Sequence, residues 1–174
     1  MSLNITKDEL DKCEYQLQLA VHYHMRRQQF FESWHRMTGV FSLVFSTSAI
    51  AVITANTNLG IVCAAVVALL QCIDLILDTR GKALLHNELR RNYIMLNSDM
   101  LDFDDNPTRI QHRSILKSIK EIEIKEPPVK KVLLEVAHND ACRSLGYPKQ
   151  SFHDINWFVA NTCNLINWPS SIKD

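Results

Sequence analysis

The stretch from Met37 to Ile73 contains no Lys, Arg, Asp, Glu or His, although charged residues make up 22% of the chain. A polar break, Asn56-Thr57-Asn58, divides this region into two apolar segments, residues 38–55 and 59–77. As helices that rise about 1.5 Å per residue, each segment can cross most of a hydrocarbon layer about 30 Å thick. The short link leaves room only for an antiparallel return. The stretch therefore predicts a membrane-spanning helical hairpin.

A buried helix pair in a soluble protein is the alternative, because such helices can also be apolar on all sides. The serines and threonines of the first segment make it only moderately apolar. The distribution of basic residues favours the membrane, since they flank the hairpin and are absent from its link. By the positive-inside rule this places both termini in the cytoplasm and Asn56–Asn58 outside. The flanking residues are Arg26, Arg27, Arg36, Arg80, Lys82, Arg90 and Arg91.

Apolar residues at helical spacing continue on both sides of the hairpin. One helix, capped by either Asn4 or Thr6, should run into the first span. The second span should continue to about Leu101, with Gly81 as its weak point. We expect the two extensions to pack as an antiparallel pair within a long helical hairpin, residues 1–104. This pairing would bring together His22, His24, Arg26, Arg27, Arg90 and Arg91, with Glu32 and Glu88 available to neutralise charge.

The acidic stretch from Asp102 to Pro107 predicts a linker to a cytoplasmic C-terminal region, residues 105–174. Three segments follow: 108–126, whose end alternates as EIEIKE and could form a short strand; 129–141, closed by Gly146; and 152–166. The fold class is thus predicted to be an all-α membrane protein. It would comprise a two-span transmembrane helical hairpin, long cytoplasmic helical extensions and a small C-terminal helical region.

Polar side chains interrupt the two predicted spans. An ionised carboxylate costs several kcal/mol in lipid, so Asp74 should face a partner or water. In one interpretation, polar groups from several subunits line a path for cations. In the other, they hold the two helices of one hairpin together, and Asp74 is protonated or reaches the interface. The predicted pore-lining residues are Gln71, Asp74, Asp78, Ser42 and Ser46.

Two further groups of residues concern contacts with neighbours. Gly60, Ala64 and Ala68 recur every four residues, a spacing that lets membrane helices approach closely and predicts a homo-oligomer. Basic residues at the membrane boundary should meet lipid headgroups, with an anionic ligand as the alternative. These boundary residues are Arg26, Arg27, Arg90 and Arg91.

Catalytic and metal-binding signatures are missing from the sequence, which contains no GxSxG, Walker loop or HExxH. His22 and His24 point to different sides of a helix and cannot grip one metal together. We expect solvated or interhelical roles for the histidines of the extensions. Lys plus Arg and Asp plus Glu balance at 19 each, which gives no signal for a polyanionic partner. The sequence therefore predicts no enzyme, no metal and no cofactor.

The two sides of the hairpin resemble the SLATT-type two-transmembrane effector families over about Ala20–Leu101. The resemblance rests on VHYHMRRQQFFESWHRMTGV before the first span and ALLQCIDLILDTRGKALLHNELRR across and after the second. It implies an oligomeric membrane pore in antiviral defence, triggered by a regulatory partner protein or a nucleotide-type ligand. The alternative function is a membrane-anchored interaction or scaffold protein without conductance. A scaffold would not need Gln71 and Asp74 on the polar face.

Overall fold

A computed structural model describes residues 6–53, 57–103 and 108–170, with the side chains of 49–53 excepted. Helices make up its regular structure, and the described residues contain no strand. The all-α prediction is therefore confirmed. The helices are α1 (Lys7–Ile53), α2 (Thr57–Leu77), α3 (Thr79–Leu101), α4 (Arg109–Glu123), α5 (Lys131–Ser144) and α6 (Trp157–Thr162), with a 3-10 turn at Lys149–Ser151.

One helical segment of the described chain, Thr57–Leu101, is long and apolar enough to cross a membrane. Only 6% of its most apolar window is buried, whereas a core helix of a soluble protein would be mostly covered. Thr57 and Asn58, predicted as part of the link, belong to α2, and Asn56 lies outside the described residues. The first predicted span ends at residues 54 and 55, also outside the described residues, and it stays a prediction.

The chain divides into two compact units. The hairpin unit, Gln28–Leu85, contains the later part of α1, all of α2 and the start of α3. The bundle unit comprises residues 1–27 and 86–174, of which 6–27, 86–103 and 108–170 are described. The predicted boundary between residues 104 and 105 lies outside the described residues.

The bundle unit has two hydrophobic clusters. The first joins α1, α3 and α4, which confirms that the two extensions pack together. The second joins α1 to α5 and the residue that follows α6. Buried members of the first are Cys13, Leu17, Leu89, Tyr93, Met100, Ile115, Ile119 and Ile122; those of the second are Tyr23, Val132, Leu133, Val136, Ala137 and Cys163.

The alternating segment EIEIKE forms the end of helix α4 and the turn that follows it. Thr108 caps α4 in a reciprocal capping box with Gln111, which fixes the start of the helix. Its buried residues Ile115, Ile119 and Ile122 follow helical spacing, whereas Ile124 is 84% exposed after the helix has ended. Pro127-Pro128 then prevents further helix. The alternation of isoleucines therefore does not form a strand.

The C-terminal helices differ from one another in how well they follow the predicted pattern. α5 ends before Gly146, whose φ of 73° is the left-handed conformation expected of a glycine after a helix. α6 is much shorter than the predicted stripe 152–166. The Asn156 side chain accepts a hydrogen bond from the backbone N–H of Phe158 and starts the helix late. The backbone N–H groups of Leu165 and Ile166 both donate to the Thr162 carbonyl, which turns the chain.

The break between α2 and α3 lies at Asp78, not at Gly81. Asp78 has a φ of 46°, in the left-handed region that a residue with a side chain seldom adopts. Its Oδ1 accepts a hydrogen bond from the Gly81 backbone N–H at 3.1 Å and so caps the first turn of α3. A Cβ at Gly81 would collide with that carboxylate. A side chain at Gly81 would therefore displace the Asp78 carboxylate and break the cap.

Candidate functional site

The predicted polar residues of the spans form contacts within the hairpin unit. Asp74 Oδ2 lies 3.0 Å from His35 Nδ1, and Asp74 Oδ1 accepts a hydrogen bond from the Thr79 hydroxyl at 2.5 Å. The Asp74 side chain is 14% exposed, so both oxygens of a largely covered carboxylate have partners. The contact to His35 joins α2 to α1, which is the arrangement expected of a group that holds two helices together.

A second polar contact links the same two helices. Gln71 Nε2 donates to Ser42 Oγ at 2.5 Å. Ser46, one turn further along α1, is exposed. Asp78 is exposed and uses Oδ1 as the helix cap described above. The structure thus brings together four polar groups, from Ser42 and Gln71 and from His35 and Asp74, in two cross-helix pairs.

The small-residue face of α2 is unevenly covered. Gly60 is buried, whereas Ala64 and Ala68 are exposed. Large apolar side chains of the same helix are also exposed, including Leu69 at 62% and Leu75 at 81%. A close contact between α2 and a further helix could therefore form along Ala64 and Ala68.

The four boundary arginines have different surroundings. In the bundle unit, Arg26 donates to the Asp140 carboxylate, and Arg27 Nη1 donates to the Asn164 carbonyl at 3.1 Å. Burial lowers the pKa of Arg27. Arg90 Nη2 contacts Asn87 Oδ1 at 3.4 Å, and Arg91 is exposed. Arg26 and Arg27 thus contact the C-terminal region, and their predicted role at lipid headgroups or an anionic ligand stays a prediction.

The bundle unit contains a histidine cluster, consisting of His24, His86, Tyr93 and Glu126. His24 and His86 are each 1% exposed, and their Nδ1 atoms lie 2.9 Å apart. His24 Nε2 lies 3.0 Å from Glu126 Oε1, which also accepts the Tyr93 hydroxyl at 2.6 Å. The His24 ring stacks on Tyr93 with centroids 5.7 Å apart. This geometry confirms the predicted interhelical role for two of the histidines.

Protonation in the cluster follows from burial and hydrogen bonding. Burial and the neighbouring His24 lower the pKa of His86 to about 3, so His86 is neutral near pH 7. Burial alone would raise the pKa of Glu126, but hydrogen bonds from His24 and Tyr93 outweigh it and lower the pKa. Burial and the Glu126 carboxylate raise the pKa of Tyr93. The cluster therefore combines a neutral histidine with an ionised carboxylate.

Sequence reasoning missed Tyr93 and Glu126 as members of this cluster. Glu126 stands 102 positions from His24, and such a distant pair leaves no periodic signal. The local signal nearest to Glu126 was Pro127-Pro128, which restricts the Glu126 backbone to an extended conformation but does not indicate its partners. Within residues 6–53, 57–103 and 108–170, no group of His, Cys, Asp and Glu side chains is arranged to hold a metal ion.

No family model, curated protein or solved structure matches the chain. The cross-helix pairs of the hairpin unit and the histidine cluster of the bundle unit are thus the features from which a function can be argued.

Proposed function

We propose that this protein is an effector of the inner membrane, with both termini cytoplasmic, whose hairpin assembles with further copies into a cation-permeable pore. The resemblance to SLATT-type effectors suggests a role in antiphage defence. It also suggests activation by a regulatory partner protein or a nucleotide-type ligand. The chain would then act by permeabilising the membrane on activation, without catalysis.

The observation that carries the proposal is the exposure of α2. The most apolar window of Thr57–Leu101 is 6% buried, so this surface needs lipid or protein to cover it. A bilayer covers such a surface without further protein. The exposed Ala64 and Ala68 offer a contact through which a second hairpin could pack closely. Both features support an assembly of hairpins in the membrane.

A membrane-anchored scaffold without conductance is the second candidate, and the cross-helix pairs favour it. Asp74 contacts His35 and Thr79, and Gln71 contacts Ser42, all within one chain. Groups used in this way stabilise a hairpin and do not require a water-filled path. The two candidates therefore differ in whether Asp74 is hydrated and charged when the protein is assembled.

Substitution of Asp74 tests this difference. Asp74→Asn keeps the shape and one acceptor oxygen, replaces the other oxygen with an amide donor, and removes the charge. If Asp74 lines a pore, the oligomer should persist while cation flux through liposomes falls about tenfold, since a negative ring favours cations. If Asp74 only joins the helices, flux should be absent from the wild type and assembly should be unchanged by Asn. Asp74→Leu should weaken assembly in either case, by roughly 1 kcal/mol per lost contact.

The matched control is Asp99→Asn, which removes the charge of an exposed aspartate of α3 in the bundle unit. Flux and oligomer size should be measured on the wild type and on the three variants. Strong wild-type flux that Asp74→Asn leaves unchanged would refute a pore lined by Asp74. A strictly monomeric wild type in detergent and in liposomes would refute the oligomeric pore altogether.

A further inference from the structure

A cavity of about 250 Å³ lies beside the histidine cluster, inside the bundle unit. α1, α3, α4, α5 and the connection between α4 and α5 all contribute to its wall. Leu19, Ile119 and Leu134 supply apolar surface, and Tyr23, Tyr93 and Glu126 supply polar atoms. Binding sites for small molecules have this composition, with mostly apolar walls and a few convergent polar groups.

Glu126 presents an oxygen that the cluster does not use. Its Oε1 accepts from Tyr93 and contacts His24, whereas no hydrogen bond from the described residues reaches Oε2. The Glu126 side chain is 14% exposed, so the carboxylate is accessible from the cavity that it lines. An ionised carboxylate with a spare oxygen in a half-covered site is a strong acceptor for a charged donor.

The permanently charged residues of the cavity wall are both acidic. Glu123 and Glu126 are the only residues of the wall that carry a full charge at every physiological pH, and no Lys or Arg of the described chain belongs to it. Glu123 is paired with Lys120 Nζ at 2.6 Å, which offsets its charge. Glu126 contacts His24 and Tyr93 through Oε1 only, so its Oε2 sets the electrostatic preference of the wall.

We propose that this cavity binds a small organic cation, an ammonium group on a short apolar body. The ammonium would donate to Glu126 Oε2, while the apolar body packs against Leu19, Val129 and Leu134, the more accessible apolar residues of the wall. The cavity lies below the usual 300–1,000 Å³ of sites for drug-sized ligands, so a ligand of about ten heavy atoms would fit. The proposal is independent of pore formation, because every residue of the site belongs to the bundle unit.

Benzylammonium is a suitable probe, with benzyl alcohol as the neutral molecule of nearly the same shape. Calorimetric titration of the full chain in detergent should show saturable binding of benzylammonium. Benzyl alcohol should bind at least about tenfold more weakly, because it cannot form the charge-assisted hydrogen bond. Equal binding of the two probes, or no binding of benzylammonium at millimolar concentration, would overturn the proposal.

Two variants locate the binding. Glu126→Gln should weaken benzylammonium binding at least about tenfold while leaving the binding of benzyl alcohol unchanged. Because Glu126 also supports the cluster, Val129→Phe provides a second variant. Val129 lies in the cavity wall and is 46% exposed, so a larger side chain can block the cavity without entering the core.

Ile110→Phe is the matched control, because Ile110 is 81% exposed on α4 and does not line the cavity. Val129→Phe should abolish benzylammonium binding, and Ile110→Phe should leave it at the wild-type affinity. Helical circular dichroism of each variant confirms that it is folded. Wild-type affinity in a folded Val129→Phe protein would place the bound cation elsewhere and reject this cavity.

Discussion

His86 should make the stability of the bundle unit depend on pH. Its pKa is about 3 in the folded chain, against an ordinary value of 6.5, because the ring is buried beside His24. The folded state thus binds fewer protons than the unfolded state. The contribution to stability is complete above pH 6.5 and is lost as the pH falls from 6.5 towards 3.

The loss amounts to about 1.4 kcal/mol for each pH unit below 6.5. Between pH 7 and pH 5 it sums to about 2 kcal/mol, a large part of the 5–15 kcal/mol that usually stabilises a domain. Glu126 acts in the same direction, since its pKa is also lowered. The stabilisation that Glu126 provides is lost only below pH 4.5, the ordinary pKa of its carboxyl group. A comparison between pH 5 and pH 7 therefore measures the effect of the histidines.

Urea unfolding of the full chain in detergent at pH 7, 6 and 5 measures this effect through the fluorescence of Trp157 and Trp168. His86→Asn removes the titrating ring but keeps a donor for His24 Nδ1. The wild type should lose about 2 kcal/mol more than this variant between pH 7 and pH 5. Burial also lowers the pKa values of His22 and His153, but both proteins share those residues.

His112→Asn is the control, since it removes a histidine of α4 outside the cluster. Its unfolding free energy should follow the wild-type dependence on pH. Parallel curves for the wild type and His86→Asn between pH 7 and pH 5 would refute the reasoning, because they would mean that His86 binds its proton equally in both states.

Two further predictions concern the membrane. Ala64→Leu should weaken the oligomer in detergent, because a bulky side chain separates helices that approach through small residues, and Ala64 is exposed whereas Gly60 is buried within the chain. Leu69→Ala, at another exposed position of α2, is the control. An unchanged oligomer size for Ala64→Leu would move the subunit contact away from this face. In a chain whose native cysteines are replaced by serine, a cysteine at Asn58 should react with a membrane-impermeant maleimide in intact cells, and one at Arg91 only after permeabilisation. Labelling of both positions in intact cells would contradict the predicted topology.

Local signals in the sequence predicted several helix boundaries. Thr108 begins α4 through its capping box, α3 ends at Leu101 as the apolar stripe does, and Gly146 follows α5 in the left-handed conformation. Each of these features depends on residues within one or two helical turns, which is the range over which periodicity and capping carry information. The all-α fold follows from them.

Side-chain partners could not be predicted in the same way. Asp74 was expected to need a polar partner, but the sequence did not pair it with His35, which stands 39 positions away. Arg26 was expected near other arginines and instead pairs with Asp140, 114 positions away. The histidine cluster required the packing of α1, α3 and the segment after α4, and tertiary packing of this kind leaves no period in a single sequence.

The cap at the start of α3 has an evolutionary consequence. Asp78 adopts a left-handed backbone that Asp, Asn and Gly tolerate best, and its carboxylate occupies the space that a side chain at Gly81 would need. While Asp78 keeps its cap, a side chain at Gly81 can enter only if the carboxylate moves away. If the cap is retained by selection, we expect the two residues to persist together, as an Asp-x-x-Gly pair immediately after an apolar segment of about twenty residues. An apolar segment can exchange one aliphatic residue for another until no similarity is detectable. The Asp-x-x-Gly pair after it would then be the feature by which distant relatives could be recognised.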